Sequence, residues 1–364
     1  MNSKLKIVSL FSGIGGFEEG FKNSNLKFET VFASEIDKHA IMTYSYNFPI
    51  NTMHGDIKQI SELDIPDHDL LCGGFPCQSF SVAGKQKGFE DETRGTLFFD
   101  IIRIIKEKRP KIIFLENVKN LISHDNGNTI KTILRSISDC GYTFDITIIN
   151  SNEAGVPQNR ERTYIVGVLD RPTEKFIEDK RNSKITSIKY WANSEDLNTM
   201  NFFNHLFINK KSKYVCDIIE RNVDIKYYLN SSKVKNYLNS IDKSSLNKIR
   251  KRKIIKDLDL PRDIHNDLDR QRRVYSIYGI SPTLLARSDS PKIIINENQT
   301  LKVRKLTPYE ALKIQGFDDK FVNNIKKYGM SDTQLYKQAG NAVSPPVITQ
   351  IANAIMEAFL WVNS

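Results

Sequence analysis

Cysteine is scarce in this chain. Four thiols, Cys72, Cys77, Cys140 and Cys216, are spread over 364 residues, with no CxxC pair among them. That spacing offers neither a zinc-ligand pattern nor a disulfide framework, and it fits a reducing compartment. Long apolar runs are missing too, so no stretch is expected to span a bilayer. The opening residues, Met1-Asn2-Ser3-Lys4, lead directly into a strand-like segment and lack the apolar centre of a secretory signal. A cytoplasmic protein without membrane contact is expected. There is no internal repeat. Hydrophobic residues at 40% and charged residues at 26% are the proportions of a globular chain with room for one large domain and a smaller one.

Acidic residues are in deficit overall, with 43 against 53 Lys and Arg, but the deficit is local. Residues 1–170 carry 19 basic and 22 acidic side chains, whereas residues 171–300 carry 26 and 16. The excess is densest at Lys248, Arg250, Lys251, Arg252, Lys253 and Lys256. A solvated helix face is the ordinary reading of such a run. Its concentration in one region favours a polyanion partner, most simply nucleic acid.

The first half alternates strand and helix patterns. Residues 5–10 read as a strand that runs into Phe11-Ser12-Gly13-Ile14-Gly15-Gly16-Phe17, a glycine turn followed by a helix from about Phe17 to Lys22. The dinucleotide fingerprint GxGxxG fails here, because Glu18 takes the place of its last glycine. A second strand ends at Glu35, where such folds bind ribose hydroxyls, and a third leads to Gly55-Asp56-Ile57. These three features suggest a nucleoside cofactor that needs no diphosphate site. Next comes Leu70-Leu71-Cys72-Gly73-Gly74-Phe75-Pro76-Cys77, read as a buried strand closed by its glycines. Cys77 is thereby expected at the ligand crevice beyond the strand's carboxyl end. The ordinary fate of a free cysteine is burial as a small hydrophobe, but the flanking glycines and Pro76 argue otherwise. The polar, glycine-punctuated residues 81–95 suggest a lid. Glu116 is expected at the end of a strand from Lys111. The strand Thr163 to Leu169 is expected to run antiparallel, because Arg160 and Arg162 lie at its start.

Beyond residue 171 the alternation breaks, and residues 171–300 are expected to form an irregular basic domain. Regular structure resumes at Thr307-Pro308-Tyr309-Glu310, a capping box with proline at the first helical position. A closing apolar helix, Val347 to Phe359, is expected to pack back on the first sheet.

The ordered set Phe11-x-Gly13-x-Gly15-Gly16, Glu35, Gly55-Asp56-Ile57, Gly74-Phe75-Pro76-Cys77-Gln78, Arg94-Gly95-Thr96-Leu97, Glu116-Asn117-Val118, Gln158-x-Arg160-x-Arg162 and Gly340-Asn341 resembles the bacterial DNA cytosine-5 methyltransferases. The resemblance covers roughly residues 4–170 and 270–364. It implies an α/β fold, a Rossmann-like S-adenosylmethionine-dependent methyltransferase sheet with a second, smaller, irregular target-recognition domain. The implied division is 1–175 and 303–364 for catalysis and 176–302 for DNA. Phe11, Gly13, Gly15, Gly16, Glu35, Ile36, Asp56, Ile57, Pro76, Leu97, Asn341 and Ala342 would line the S-adenosyl-L-methionine pocket, with no metal. Cys77 would be the nucleophile, Glu116 and Arg162 would hold the cytosine, and Arg160 would support them. Ser81, Arg94, Arg273 and Thr283 would touch DNA. Ile36 departs from the aromatic residue often found over the adenine, and Ala342 from the serine often found after Gly-Asn.

The chemistry agrees with those residue types. Adding a thiolate to cytosine C6 breaks the ring's aromaticity and makes C5 nucleophilic, which calls for a soft nucleophile such as Cys77. In duplex DNA the target base must first leave the stack. The implied partner is therefore double-stranded DNA, bound by a monomer. A restriction endonuclease of the same specificity is a candidate companion, and the bacterial nucleoid the place of work. A tRNA cytosine-5 methyltransferase of the same fold is the alternative. A nicotinamide oxidoreductase would leave Cys77 and Glu116 unused, and a purely DNA-binding module would leave the whole catalytic set unexplained.

Overall fold

The computed structural model describes residues 4–76, 97–177, 182–206, 208, 211–265, 268–287, 290–297 and 299–360. They pack as two compact units. The first comprises Met1–Ile149, Glu161–Phe207 and Val347–Ser364, and the second Asn150–Arg160 and Ile208–Pro346.

In the first unit the apolar alternation becomes β1 (Leu5–Leu10), α1 (Gly16–Lys22), β2 (Phe28–Ser34), α2 (Lys38–Ser45), β3 (Met53–His54), β4 (Leu70–Gly74), α3 (Leu97–Lys108), β5 (Ile112–Val118), α4 (Asn128–Asp139), β6 (Tyr142–Asn150), β7 (Glu161–Leu169) and α5 (Ser183–Ser194). Seven strands form one sheet in the order β3-β2-β1-β4-β5-β7-β6. The pairs β1–β2, β1–β4, β2–β3 and β4–β5 are parallel. β7 runs antiparallel to β5, as its leading arginines led us to expect. Parallel strands covered on both faces must be apolar throughout. Val8, Leu10, Leu71, Ile113 and Leu115 accordingly lie in one core with Ile101, Ile105, Ile133 and Ile137 from α3 and α4.

β4 ends on Gly74, as the sequence suggested, but it takes Gly73 into the strand. The reason is close approach: a Cβ on Gly73 would stand 2.9 Å from the Leu10 carbonyl oxygen of the neighbouring strand. β5 runs on to Val118, so Glu116, Asn117 and Val118 are its last three residues and Glu116 stands at its carboxyl end as expected.

The second unit holds α6 (Ser232–Ser240), β8 (Lys256–Asp259), α7 (Asp269–Arg272), β9 (Arg273–Ser276), β10 (Lys292–Glu297), β11 (Thr300–Lys305), α8 (Pro308–Gln315), α9 (Asp319–Lys326) and α10 (Asp332–Asn341). Four of its strands form a second sheet, β11-β10-β9-β8. Residues 171–300 are thus less irregular than their composition suggests. β8 and β9 have four residues each, too few for a period-2 pattern to stand out. The capping box at α8 is present, with Pro308 in the first turn. Glu310, 0% exposed, also forms a two-pronged ion pair with Arg304 at 2.7 Å on both arms.

Residues 182–206 belong with the first sheet. Phe144 of β6 bonds through its backbone to Asn198 and Met200, and Lys189 of α5 meets Asp145 at 2.9 Å in a fully buried pair. The closing helix α11 (Pro345–Ile355) also returns to the first unit. Its Thr349 hydroxyl donates to the Gly20 carbonyl at 2.8 Å, and Asn353 accepts from the Asn25 amide. With these boundaries the first unit carries 24 basic and 27 acidic side chains and the second 29 and 16. The positive excess resides wholly in the second unit.

Gly73→Ala should therefore cost about 1–3 kcal/mol, the range of an overpacked core. Denaturant titration should show a lower midpoint with an unchanged slope. An unchanged midpoint would mean that β1 and β4 can part without penalty.

Candidate active site

In a sheet of this kind the ligand crevice lies beyond the carboxyl ends of the parallel strands. β1 ends in a turn whose backbone repeatedly enters the left-handed region: Phe11 at φ 55°, Gly13 at 56° and Gly15 at 87°. Gly15 is also sterically required, because a Cβ there would overlap the Phe48 ring at 2.3 Å. The turn is fastened by Ser12, whose hydroxyl donates to the Ser9 carbonyl at 2.9 Å. Glu35, at the end of β2, accepts from the amide of Gly13 at 2.9 Å through Oε2, and from those of Ile36 and Asp37 through Oε1. It is no idle turn carboxylate, since it ties the β1 turn to the β2 turn. Ile36 beside it is 74% exposed, a large apolar side chain left uncovered at the crevice rim. Beyond β3, Asp56 accepts from the Lys58 amide through Oδ1, which leaves Oδ2 without a partner among the described residues. The Ile57 side chain is buried in the core. Gly16 opens α1, and Leu97 opens α3 and is half-buried.

At the end of β4, Phe75 is buried and Pro76 exposed. The side-chain amide of Asn117, from the neighbouring β5, donates to the Phe75 carbonyl at 2.8 Å and so anchors the chain where it leaves the sheet. Gly74 stands in register with Glu116. Cys77, Ser81 and Arg94, with residues 81–95 as a whole, lie outside the described residues.

The reversal of β7 supplies the next group. Val118 pairs with Arg162 and Glu116 with Tyr164, so the first residues of β7 lie beside the last of β5. Arg162 Nε stands 3.2 Å from Glu116 Oε1, with both side chains largely buried. Nη1 of Arg162 donates to the Glu161 carbonyl, and Nη2 has no partner among the described residues. An acid and a guanidinium therefore stand together, adjacent to the strand end that precedes Cys77. A charged pair this enclosed offsets its desolvation only through good geometry or a ligand that completes it.

Other predicted residues fall in the second unit. Arg160 is 2% exposed, and its Nη2 donates to the carbonyls of Gly340 at 3.0 Å and Ala342 at 2.8 Å. A cation at the carboxyl end of α10 complements the helix dipole there. Arg160 thus supports the Gly340-Asn341-Ala342 turn, on which Asn341 is exposed. Gly340 is needed for close packing, since its Cβ would lie 2.3 Å from the Leu285 backbone. Sequence reasoning missed Gln158 as a bolt. Its buried amide accepts from the Leu284 amide and donates to Gln315, joining the 281–287 loop to α8. Thr283 donates its hydroxyl to the Asn159 carbonyl. Arg273 is exposed at the start of β9, and with Thr283, Arg270 and Tyr275 it lines one shallow pocket. In the basic run, Arg250 pairs with Asp217 at 2.8 Å and Arg252 donates to the Asn152 carbonyl, while Lys248, Lys251 and Lys253 are exposed.

Among the described residues no cluster of three or more His, Cys, Asp or Glu side chains could hold a metal ion, and no helix is long and apolar enough to cross a membrane.

A seven-stranded sheet of this order, with β7 reversed against β5 and a glycine turn and two acids at adjacent strand ends, is that of a Rossmann-like methyltransferase. Solved structures share the fold. Dnmt2 methyltransferase of S. pombe superposes with a TM-score of 0.65 at 17% identity, over 99% of this chain and 100% of that one. A putative DNA modification methyltransferase encoded within an E. coli prophage gives 0.60 at 20%, over 97% and 99%. In sequence, the chain matches the C-5 cytosine-specific DNA methylase family over residues 5–357. It is 41% identical to the type II methyltransferase M1.ScrFI of Lactococcus lactis subsp. cremoris, over 98% of this chain and 79% of that protein. It is 36% identical to the type II methyltransferase M.Bsp6I of a Bacillus species, over 98% and 100%. The chain belongs to the C-5 cytosine-specific DNA methylases.

Asn117→Ala would release the Phe75 carbonyl and the segment that leads to Cys77. A misplacement of about 1 Å at a reacting group can lower the rate by about 100-fold. We expect kcat for methyl transfer to fall on that scale while KM for DNA stays within a few-fold. A fall in affinity with kcat intact would show that Asn117 serves binding instead.

Proposed function

We propose that Cys77, Glu116 and Arg162 carry out methylation of cytosine C5 in a short duplex DNA sequence, with Arg160 in a supporting role. The observation that carries this reading is the Glu116–Arg162 pair at 3.2 Å, built at the strand end next to the one that precedes Cys77. Family membership implies S-adenosylmethionine, and the strand ends suit it. The open glycine turn, the exposed Ile36 face, the Asp56 oxygen without a partner and the Glu35 carboxylate would receive methionine, adenine and ribose. Phe11, Gly13, Gly15, Gly16, Ile57, Pro76 and Leu97 would complete this side, and Asn341 and Ala342 are the further candidates. When bound, S-adenosylmethionine supplies an electrophilic methyl group on a sulfonium.

The residues of the chain do the rest. The Cys77 thiolate bonds to C6 and the C5–C6 double bond gives up its electrons, so charge moves toward N3 and O2. Glu116 holds a proton at N3 and accepts from the N4 amine. Arg162 offers its Nη2 to O2, where a fixed cation stabilises the developing charge. Once C5 has received its methyl group and lost its proton, the sulfur leaves C6 and the ring regains aromaticity. The cytosine reaches these groups only by leaving the stack.

We assign target recognition to the positively charged second unit, with Ser81 and Arg94 as further DNA contacts. Arg273 and Thr283, on one pocket, are the candidates nearest the bases. We also propose a monomer working in the bacterial cytoplasm. Several similar proteins are named type II methyltransferases, so a restriction endonuclease of the same specificity is the companion to seek.

The test is a methyl-acceptor assay with duplex DNA and with tRNA, followed by bisulfite sequencing. Cys77→Ser should abolish transfer to DNA and keep cofactor binding, and 5-fluorocytosine at the target should trap the wild-type protein covalently, because fluorine cannot leave as a cation. Transfer by the serine variant at wild-type rates would remove Cys77 as nucleophile, and transfer to tRNA alone would replace the substrate. The basic run gives a second expectation. Replacing Lys248, Lys251 and Lys253 with Ala should weaken specific and non-specific DNA equally. The slope of log affinity against log salt should flatten by about 0.9 for each DNA phosphate that the variant no longer neutralises. An unchanged slope would mean that the run is merely solvated.

A further inference from the structure

Glu18 occupies the position where a dinucleotide fold carries its third glycine, and the catalytic scheme makes no use of it. It points inward from α1 and is 1% exposed. Around it stand Ser9 of β1 at 0%, Tyr44 of α2 at 0% and Cys72 of β4 at 0%. The Tyr44 hydroxyl donates to Glu18 Oε1 at 3.3 Å, while Glu18 Oε2 and the Ser9 hydroxyl are both enclosed without a hydrogen bond of ordinary geometry. No Lys, Arg or His pairs with Glu18 among the described residues. The nearest cation on its own helix, Lys22, is committed to Glu19 at 2.9 Å. An ionised carboxylate in such a place is strongly disfavoured, whereas a protonated one can donate its hydrogen to Ser9.

This cluster is joined to the glycine turn from two sides. The Ser9 carbonyl accepts the Ser12 hydroxyl that fastens the turn. Tyr44 packs on Phe48, with ring centroids 5.1 Å apart, and Phe48 fills the space where a side chain on Gly15 would stand. Any shift that relieves a charge on Glu18 must therefore move Ser9, Tyr44 or both, and with them the backbone of residues 12–15.

We propose that Glu18 is a positioning residue that works as a neutral carboxylic acid, and that its ionisation loosens the glycine turn and weakens binding of the nucleoside cofactor. The proposal rests on the reading that this turn binds S-adenosylmethionine. Burial pushes the Glu18 carboxyl up to about 7, against the smaller opposing effects of Ser9 and Tyr44, so the switch would operate near neutrality. The other titratable groups facing it, Cys72 and Tyr44, are themselves raised by burial and stay neutral in that range.

The test compares wild type with Glu18→Gln, which keeps shape and neutrality but cannot ionise. S-adenosylmethionine affinity is measured by calorimetry from pH 6 to 8.5, and melting temperature without cofactor from pH 5 to 8.5. The cofactor's amino group titrates alike with both proteins, so the difference between the two profiles isolates Glu18. Wild-type affinity should fall several-fold relative to the variant as pH rises through about 7. The linkage sign for stability is the same. A folded carboxyl raised above its unfolded value contributes fully at low pH and loses that contribution as pH rises toward the folded value. Wild-type melting temperature should thus drop relative to Glu18→Gln up to about pH 7 and then level off. Parallel melting curves would overturn the neutral acid. A diverging melting curve with parallel affinity profiles would overturn its link to the turn. Absence of binding by either protein at any pH would overturn both that link and the assignment of the turn to S-adenosylmethionine.

Discussion

Antiparallel pairing of β7 against β5 is the constraint on which the Glu116–Arg162 pair depends. A parallel β7 would carry Glu161 and Arg162 to the opposite end of the sheet, about 25 Å away for a strand of its length. Reversal puts Arg162 across from Val118 and within reach of Glu116. The pairing is held by ordinary ladder bonds and by close packing, since Gly167 leaves no room for a Cβ against Ile113. The pair is thereby held by two hydrogen-bonded strands of the sheet. Neither charged group has to be positioned by a loop.

The same economy governs the other strand ends. Glu35 takes three backbone amides from two turns, and Asn117 fixes the carbonyl that precedes the Pro76-Cys77 step. Each is a polar side chain at a strand terminus that satisfies backbone groups which would otherwise stand open at the crevice. In the second unit Arg160 does this for the end of α10 and Gln158 for the 281–287 loop. The Gln158-x-Arg160-x-Arg162 motif is therefore a division of labour at alternate positions. Two members bolt the scaffold, and the third has a donor without a partner among the described residues.

Charge is divided as sharply as structure. The unit with the glycine turn is slightly acidic, while the other carries 29 basic against 16 acidic side chains. Long-range attraction of a polyanion would thus act on one unit and leave the unit with the glycine turn near neutral. Not every cation is available for that role. Arg250, Arg252, Lys256 and Arg304 are already engaged by Asp217, the Asn152 carbonyl, Asp259 and Glu310.

The sequence by itself determined the alternation of strands and helices in residues 5–169, the glycine turn, the capping box at Thr307 and the family. These are written in short-range patterns: runs of apolar residues, positive-φ glycines and polar caps a few positions apart. It also signalled the reversal of β7, because two arginines stood at the wrong end for a parallel strand. Only the tertiary structure decided that Gly73 belongs inside β4, since the need for a missing side chain arises from Leu10 on another strand. It likewise decided that residues 182–206 cover the first sheet, and that Gln158 and Arg160 are scaffold bolts. It also showed that Glu18 lies enclosed among Ser9, Tyr44 and Cys72. Partners far apart along the chain leave no periodic trace in a single sequence, and whether a carboxyl is solvated or trapped depends on them.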